Sequence, residues 1–299
     1  MRASCASLSL AAGFLMLVNC GSAQDVGLPP ETTFNSTAGR GDLIWINLRS
    51  DTAQDYLFGV DTGATLTVLD KSWERKLQPA HPKTVVGARW AVSGIFVTPP
   101  LLLGGVQLHT GDTVVTEDLA AHFPGRTVAG LLGMDCLGHY CLQFDFAENK
   151  LRFLDPNAVS AQDLGKVFPI EPLRGCFFVN DNLAGIQGFN SLIDTGCNFD
   201  GVLVPSLFRQ WTNQWQSGAP VPADEARYPN GIFGGIAYTN LYLAGDGERD
   251  LIGLHLLARN IVTLNFPGRT MYLQQQTPGP LPAETNYFAH FYKSAFRTH

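Results

Sequence analysis

Two sequence elements each occur twice, and this internal duplication restricts the folds open to the chain. The first is Asp-Thr-Gly after an apolar stretch, in FGVDTGATLTVLD at Phe58–Asp70 and NSLIDTGCNFDGVLV at Asn190–Val204. The second is LLGMDCLGHYCLQFDFAENKLRFL from Leu131, which aligns without a gap with LIGLHLLARNIVTLNFPGRTMYL from Leu251. Because there are only two copies, the duplication predicts two related lobes and not a solenoid.

The spacing of the repeats predicts the limits of the lobes. The Asp-Thr-Gly copies are 133 residues apart and the later elements 120 apart, so the first copy has 13 extra residues between its elements. We predict an N-terminal lobe over residues 37–156 and a C-terminal lobe over residues 166–276. The stretch 157–165 between them is short and polar, as a linker is, and residues 277–299 form a C-terminal tail.

Composition and local pattern favour β structure. The chain has 31 Gly and 18 Pro and few runs of Lys or Glu, which is typical of turn-rich β proteins. DLIWINLRS and DYLFGVD predict a hairpin before the first Asp, with a counterpart before the second. Helical patterns are few, at Leu69–Leu77, Met134–Leu137 and Val204–Trp215. The fold class predicted is therefore all-β.

The N-terminus has the pattern of an export signal. Arg2 precedes an apolar run of 11 residues, Leu8–Val18, and small residues precede a cut after Ala23. We expect residues 1–23 to be a cleaved signal peptide and the protein to be secreted or periplasmic. A buried N-terminal helix and a lipid anchor at Cys20 are the alternatives, and no later stretch has the length of a membrane span.

Four cysteines remain after the expected cut: Cys136, Cys141, Cys176 and Cys197. An oxidising compartment permits disulfides, and four cysteines allow three pairings. Cys136–Cys141 with Cys176–Cys197 is the more local pairing. Four buried free thiols are the alternative.

The repeated motifs resemble those of pepsin/retropepsin-type aspartic proteases in their two-lobed, single-chain form. Asp61-Thr62-Gly63, Asp194-Thr195-Gly196 and the two apolar-apolar-Gly elements carry the resemblance, which covers the predicted mature chain at the level of motifs. It implies a bilobal pepsin-like acid protease fold, with two related β-barrel lobes and the active site between them.

The resemblance also assigns roles to residues. Asp61 and Asp194 would be catalytic, Thr62 and Thr195 would hydrogen-bond across the lobes, and Gly63 and Gly196 would allow close approach of backbone to the carboxylates. Apolar support behind these loops would come from Leu131, Leu132, Gly133, Leu251, Ile252 and Gly253. Cys197 departs from the small or hydroxyl residue usual after the second motif.

Two adjacent carboxyl groups are suited to peptide hydrolysis. Like charges at close range do not both ionise, so one group holds a proton while the other accepts one from water, as is established for aspartic proteases. We therefore expect an exported aspartic endopeptidase with no metal and no cofactor. The alternatives are an inactive peptide-binding module on the same fold and a processing protease with one dedicated substrate.

The expected partner is a polypeptide substrate, and the protein is expected to act as a monomer. A net charge of −6 argues against nucleic acid and anionic membranes as partners. A flap over the cleft is predicted in Val85–Val97 around Trp90, for which a lobe-core position is the alternative. In the second lobe, Tyr228–Tyr238 has a comparable offset from its Asp. Arg40-Gly41-Asp42 and Asn35-Ser36-Thr37 match short adhesion and glycosylation motifs.

Overall fold

The computed structural model describes residues 27–51, 54–80, 93–183, 190–215, 225–245 and 247–282. The predicted signal peptide, Trp90 with most of the predicted flap, and most of the tail lie outside this part of the chain. Within it, strands dominate and helices are short, so the prediction of an all-β fold of two related lobes is confirmed. The exact lobe and linker bounds stay predictions.

Twenty strands and five α-helices are described. The strands are β1 (Thr32–Thr33), β2 (Trp45–Arg49), β3 (Asp55–Val60), β4 (Val68–Asp70), β5 (Gly94–Val97), β6 (Leu102–Leu103), β7 (Val106–Gln107), β8 (Thr113–Glu117), β9 (Gly130–Leu132), β10 (Cys141–Asp145), β11 (Lys150–Leu154), β12 (Lys166–Leu173), β13 (Cys176–Val179), β14 (Ser191–Asp194), β15 (Gly201–Val202), β16 (Glu225–Phe233), β17 (Ile236–Ala244), β18 (Leu251–Gly253), β19 (Asn260–Asn265) and β20 (Thr270–Gln275). The α-helices are α1 (Leu119–His122), α2 (Met134–Leu137), α3 (Ala161–Leu164), α4 (Pro205–Trp215) and α5 (Leu254–Leu257).

The strands form two sheets. One has eight strands in the order β5-β8-β4-β9-β3-β2-β6-β7, all from the first half of the chain. The other has twelve, in the order β1-β11-β10-β19-β20-β12-β13-β14-β18-β15-β17-β16. Its first six strands combine both halves of the chain, so they join the two lobes through backbone hydrogen bonds.

The two halves are related by a pseudo-two-fold axis. Strands β10 and β19 pair antiparallel with Gln143 opposite Thr263, and these two residues are equivalent in the repeat. The side-chain amide of Gln143 donates to Thr263 Oγ1 at 3.1 Å. Since equivalent residues lie directly opposite each other, the axis passes between them. Rotation about this axis superposes the two Asp-Thr-Gly loops on each other.

The apolar support elements are the central strands of each half. β9 pairs parallel with β3 and antiparallel with β4, while β18 pairs parallel with β14 and antiparallel with β15. These pairings place both strands between the segments that enter and leave an Asp-Thr-Gly loop. Their apolar residues are buried: Leu131, Leu132, Leu251 and Ile252. The predicted support residues therefore lie behind the loops.

The prediction of a helix over Leu69–Leu77 is wrong for its first residues. Val68–Asp70 forms strand β4, because this segment completes the ladder between β8 and β9, and a 3₁₀ helix then spans Lys71–Lys76. The other two helices occur as α2 and α4. Within the described residues, no helix is both long and apolar enough to cross a membrane.

All four described cysteines are free and buried: Cys136, Cys141, Cys176 and Cys197. The alternative of buried thiols therefore applies, and neither local disulfide is present. Burial raises the pKa of the Cys141 and Cys176 thiols to about 12 and raises that of Cys136 further. These three thiols are therefore protonated at neutral pH.

The adhesion-like and sequon-like tripeptides belong to one structural network. Asp42 is buried and accepts two hydrogen bonds from Arg126, at 2.7 and 2.8 Å, and one from Trp45 Nε1. The Asn35 amide nitrogen donates to Thr37 Oγ1 and to Asp42. Because the fold uses both side chains internally, neither motif is presented as a free recognition element.

Candidate active site

Asp61 and Asp194 lie side by side where the two halves meet. Their carboxyl groups are hydrogen-bonded to each other, and both side chains are partly exposed. A Cβ on Gly196 would lie 2.6 Å from the Asp61 carboxyl, and one on Gly63 would overlap the Asp194 carboxyl. Only glycine leaves the space in which the two acids meet, which is the role that the resemblance implies for these positions.

Each carboxyl group is oriented by its own loop. Asp61 Oδ1 accepts the backbone N–H of Gly63 at 2.8 Å and that of Ala64 at 3.1 Å. Asp194 Oδ1 accepts the N–H of Gly196 at 2.8 Å. The same turn thus orients both side chains.

Thr62 and Thr195 connect the two loops. Thr62 N–H donates to Thr195 Oγ1 and Thr195 N–H donates to Thr62 Oγ1, each at 3.0 Å. Each hydroxyl in turn donates to a carbonyl of the other half, Thr62 to Ile193 at 2.7 Å and Thr195 to Val60 at 2.8 Å. Four buried hydrogen bonds therefore hold the carboxyl groups at one separation.

This geometry, with an Asp-Thr-Gly loop from each half on one pseudo-two-fold axis, decides the fold type. The fold is pepsin-like. No protein-family model matches the chain, and no curated protein matches its sequence. Among solved structures it is similar to basic 7S globulin from soybean, with 12% identity, a TM-score of 0.49, and coverage of 83% of this chain and 94% of that one.

Burial raises the pKa of Asp61, and hydrogen bonds from Gly63, Ala64 and Asp194 oppose part of the rise. Although Asp61 keeps some exposed surface, protein atoms crowd around its carboxyl group and replace much of its hydration. A neighbouring carboxylate adds to the cost of a second negative charge. The pair therefore keeps one proton at pH values above 3.8, the ordinary aspartate pKa.

Replacing Asp61 by Asn is expected to stabilise the fold at pH 7. The folded-state pKa of Asp61 is raised above its ordinary value of 3.8, so its ionised form costs stability at higher pH. The cost disappears below pH 3.8, where the folded and unfolded states are both protonated. Thermal unfolding should show a higher midpoint for the variant at pH 7, by roughly 2–4 °C per kcal/mol removed, and no gain near pH 3.

An equal gain for Asp61→Asn at both pH values would contradict this electrostatic explanation. The amide can still accept the Gly63 N–H, so loss of the loop turn is not a competing cause.

The short helices α2 and α5 hold the loops from behind. Met134 N–H donates to the Ala64 carbonyl at 2.8 Å, and Leu254 N–H donates to the Cys197 carbonyl at 2.7 Å. Cys197 thus makes the backbone contact that Ala64 makes in the other loop, and its departure from the family pattern leaves this contact intact. A Cβ on Gly133 or Gly253 would overlap backbone of the loop in front of it.

A buried charged cluster behind the second loop was not predicted from the sequence. Asp200, six residues after Asp194, bonds Arg259 at 2.6 Å and lies 3.0 Å from His255 Nδ1. Asp200 and Arg259 are fully buried. The Asp200 carbonyl accepts Gly253 N–H at 3.0 Å, which ties the cluster to the support strand.

The repeat alignment contained a signal for this cluster. The first-lobe equivalents of Asp200 and His255 are Thr67 and Asp135, and Thr67 Oγ1 donates to the Asp135 carboxylate at 2.8 Å. Burial raises the pKa of Asp135. The lobes are therefore similar at the Asp pair and different behind it, where the second lobe has an ion cluster and the first a single carboxyl group.

The two flap candidates differ in what the structure describes. Trp90 lies outside the described residues, and β5 contains the described end of its segment. The Tyr228–Tyr238 hairpin turns at Gly234 and packs on Phe168 of β12, whose ring stacks on Phe233 at 5.3 Å. The tip of this hairpin therefore packs against β12.

Proposed function

We propose that this protein is an aspartic-type endopeptidase that hydrolyses peptide bonds with a water molecule activated by Asp61 and Asp194. The observation that carries the proposal is the hydrogen-bonded carboxyl pair, held by equivalent turns on the axis between the two halves. Thr62, Gly63, Thr195 and Gly196 would keep the pair in place. Export from the cell and action as a monomer are parts of the same proposal.

The proposed reaction needs only the two acids and water. The ionised carboxylate accepts a proton as the water oxygen bonds to the peptide carbonyl carbon, and the protonated carboxyl group donates its proton to the carbonyl oxygen. The resulting tetrahedral diol collapses with cleavage of the C–N bond: one carboxyl group donates its proton to the leaving nitrogen while the other carboxylate accepts a proton from a diol hydroxyl, so the pair again holds one proton. The hydrogen bonds from Gly63 and Gly196 support this because they fix each acceptor oxygen before the substrate arrives.

A thiol nucleophile is the competing means of hydrolysis near this site. Cys176 donates its S–H to the Gly63 carbonyl at 3.4 Å and lies close enough to both acids for their charges to raise its pKa. With a pKa of about 12, this thiol is not a nucleophile at working pH. The surroundings of Cys176 therefore favour carboxyl chemistry.

The test is cleavage of a mixed peptide library by the purified protein between about pH 3 and 7, with products identified by mass spectrometry. We expect cleavage at internal bonds that survives both a metal chelator and a thiol-alkylating reagent. A protein that is folded by circular dichroism and cleaves nothing would overturn the proposal. Peptide binding without cleavage would instead indicate a peptide-binding module.

A further inference from the structure

The hairpin turn between β12 and β13 belongs to the second half of the chain and contacts the loop that carries Asp61 in the first half. Its two turn residues, Arg174 and Gly175, have φ values of 51° and 83°, and Leu173 pairs with Cys176 across the hairpin. A two-residue turn with positive φ at both positions matches the strand twist, so the tip is well defined.

Two contacts dock this turn beside Asp61. Cys176 Sγ donates to the Gly63 carbonyl at 3.4 Å. A Cβ at Gly175 would lie 3.2 Å from Thr65 Cγ2, so the backbone of the turn is in close contact with the loop. The tip therefore lies against the loop that carries Asp61.

The strand register gives the direction of Leu173. Residues directly opposite in an antiparallel pair project from the same face of the sheet, so Leu173 shares the face of Cys176, whose thiol points at Gly63. Yet Leu173 is 50% exposed, which is unusual for a large apolar side chain. Its exposed surface is next to the catalytic loop.

Arg174 is exposed beside it. Within the part of the chain that the structure describes, Arg174 takes part in no ion pair, whereas Arg126, Arg152 and Arg259 each bind a carboxylate. A guanidinium group presents a planar set of donors that fits a carboxylate. The net charge of −6 repels acidic peptides in general, so a local cation decides where an acidic side chain is accepted.

We propose that Leu173 and Arg174 form one wall of the substrate cleft and select peptides with an acidic side chain next to an apolar one. This inference rests on the proposed function, because it requires a peptide lying across the Asp pair. Leu173 buries apolar surface against the substrate, and Arg174 pairs with its carboxylate.

The test uses peptides that differ only by Glu, Gln or Lys at each position around the cleaved bond, with kcat/KM as the readout. We expect one position at which Glu exceeds Gln by roughly three- to tenfold. Arg174→Gln should remove this preference and Arg174→Glu should invert it towards Lys. Leu173→Ser should lower the preference for an apolar residue at the neighbouring position.

Arg269→Glu is the matched control. Arg269 is also exposed and also occupies a turn position with positive φ, at 52°. The carbonyl of Arg269 accepts the Ile170 N–H near the middle of β12. Ile170 is about 13 Å from Arg174 along that strand. An unchanged preference in Arg174→Glu, or an equal change in Arg269→Glu, would overturn the inference.

Binding separates failure of this inference from failure of the proposed function. The same peptides, labelled with a fluorophore, are titrated into the Asp61→Asn protein and followed by anisotropy. If binding is charge-selective and depends on Arg174 but the unmodified protein cleaves nothing, the proposed role of Leu173 and Arg174 is supported and the proposed protease function is contradicted. If the protein cleaves the peptides without a charge preference, the proposed role of Leu173 and Arg174 is overturned and the proposed protease function is supported. If the peptides are neither bound nor cleaved, both proposals are overturned.

Discussion

Replacing either Asp61 or Asp194 by Asn is expected to lower kcat for peptide cleavage by at least about 10³-fold, with the fold retained. Each variant keeps an acceptor for the loop N–H that orients the side chain, at 2.8 Å in both loops. What it removes is the ability to exchange a proton. Because the proposed reaction uses one acid and one base in each step, the loss of either stops it.

The measurement is kcat on the best library peptide for both variants, with Asp163→Asn as the control. Asp163 is an exposed aspartate in α3, and its substitution should leave kcat unchanged. Retention of activity in either Asn variant would contradict the two-carboxyl mechanism. If all three variants lost activity equally, the assay would be reporting folding and not chemistry.

The pH profile of the unmodified protein gives an independent check. Activity requires the pair to hold one proton, so it falls when that proton is lost at high pH and when a second is gained at low pH. The raised pKa of Asp61 places the alkaline fall above 3.8, the ordinary aspartate value. A profile that rises through neutral pH without falling would be incompatible with this pair.

Thr195→Val is expected to destabilise the folded protein by about 2–4 kcal/mol, because it leaves the buried Thr62 N–H without its acceptor and removes the bond to the Val60 carbonyl. Thr195 is 1% exposed, so water does not replace these partners. Displacement of the loops should also lower kcat, by up to about 10²-fold for a shift near 1 Å. Denaturant unfolding and kcat are the two measurements.

Thr195→Ser is the matched control, since it keeps the hydroxyl and loses only a methyl group. It should recover most of the stability and activity lost in Thr195→Val. The two-fold relation adds a second requirement: Thr62→Val should cost about as much as Thr195→Val, because the two residues make equivalent bonds. A negligible cost for either valine variant would show that the loops are held by other contacts.

The sequence by itself determined the features that depend on repetition and local pattern. The paired Asp-Thr-Gly motifs and the gapless repeat indicated two related lobes, and the alternating strands indicated β structure. The resemblance to aspartic proteases implied a close approach at the glycine after each Asp-Thr, and the structure shows the carboxyl group of the opposite loop there. These inferences succeeded because the duplication constrains both halves at once.

Only the tertiary structure decided what depends on neighbours distant in sequence. Strand β4 replaces the start of an expected helix, because β8 and β9 provide hydrogen bonds that local propensity does not take into account. The four described cysteines are buried as free thiols, a choice among pairings that the sequence left open. The contact of Gly175 with the first Asp-Thr-Gly loop spans the two halves of the chain, and no local pattern encodes it. Such contacts form only when folding brings remote segments together. The sequence therefore determines which chemical groups the chain has, and tertiary packing determines which of those groups come into contact.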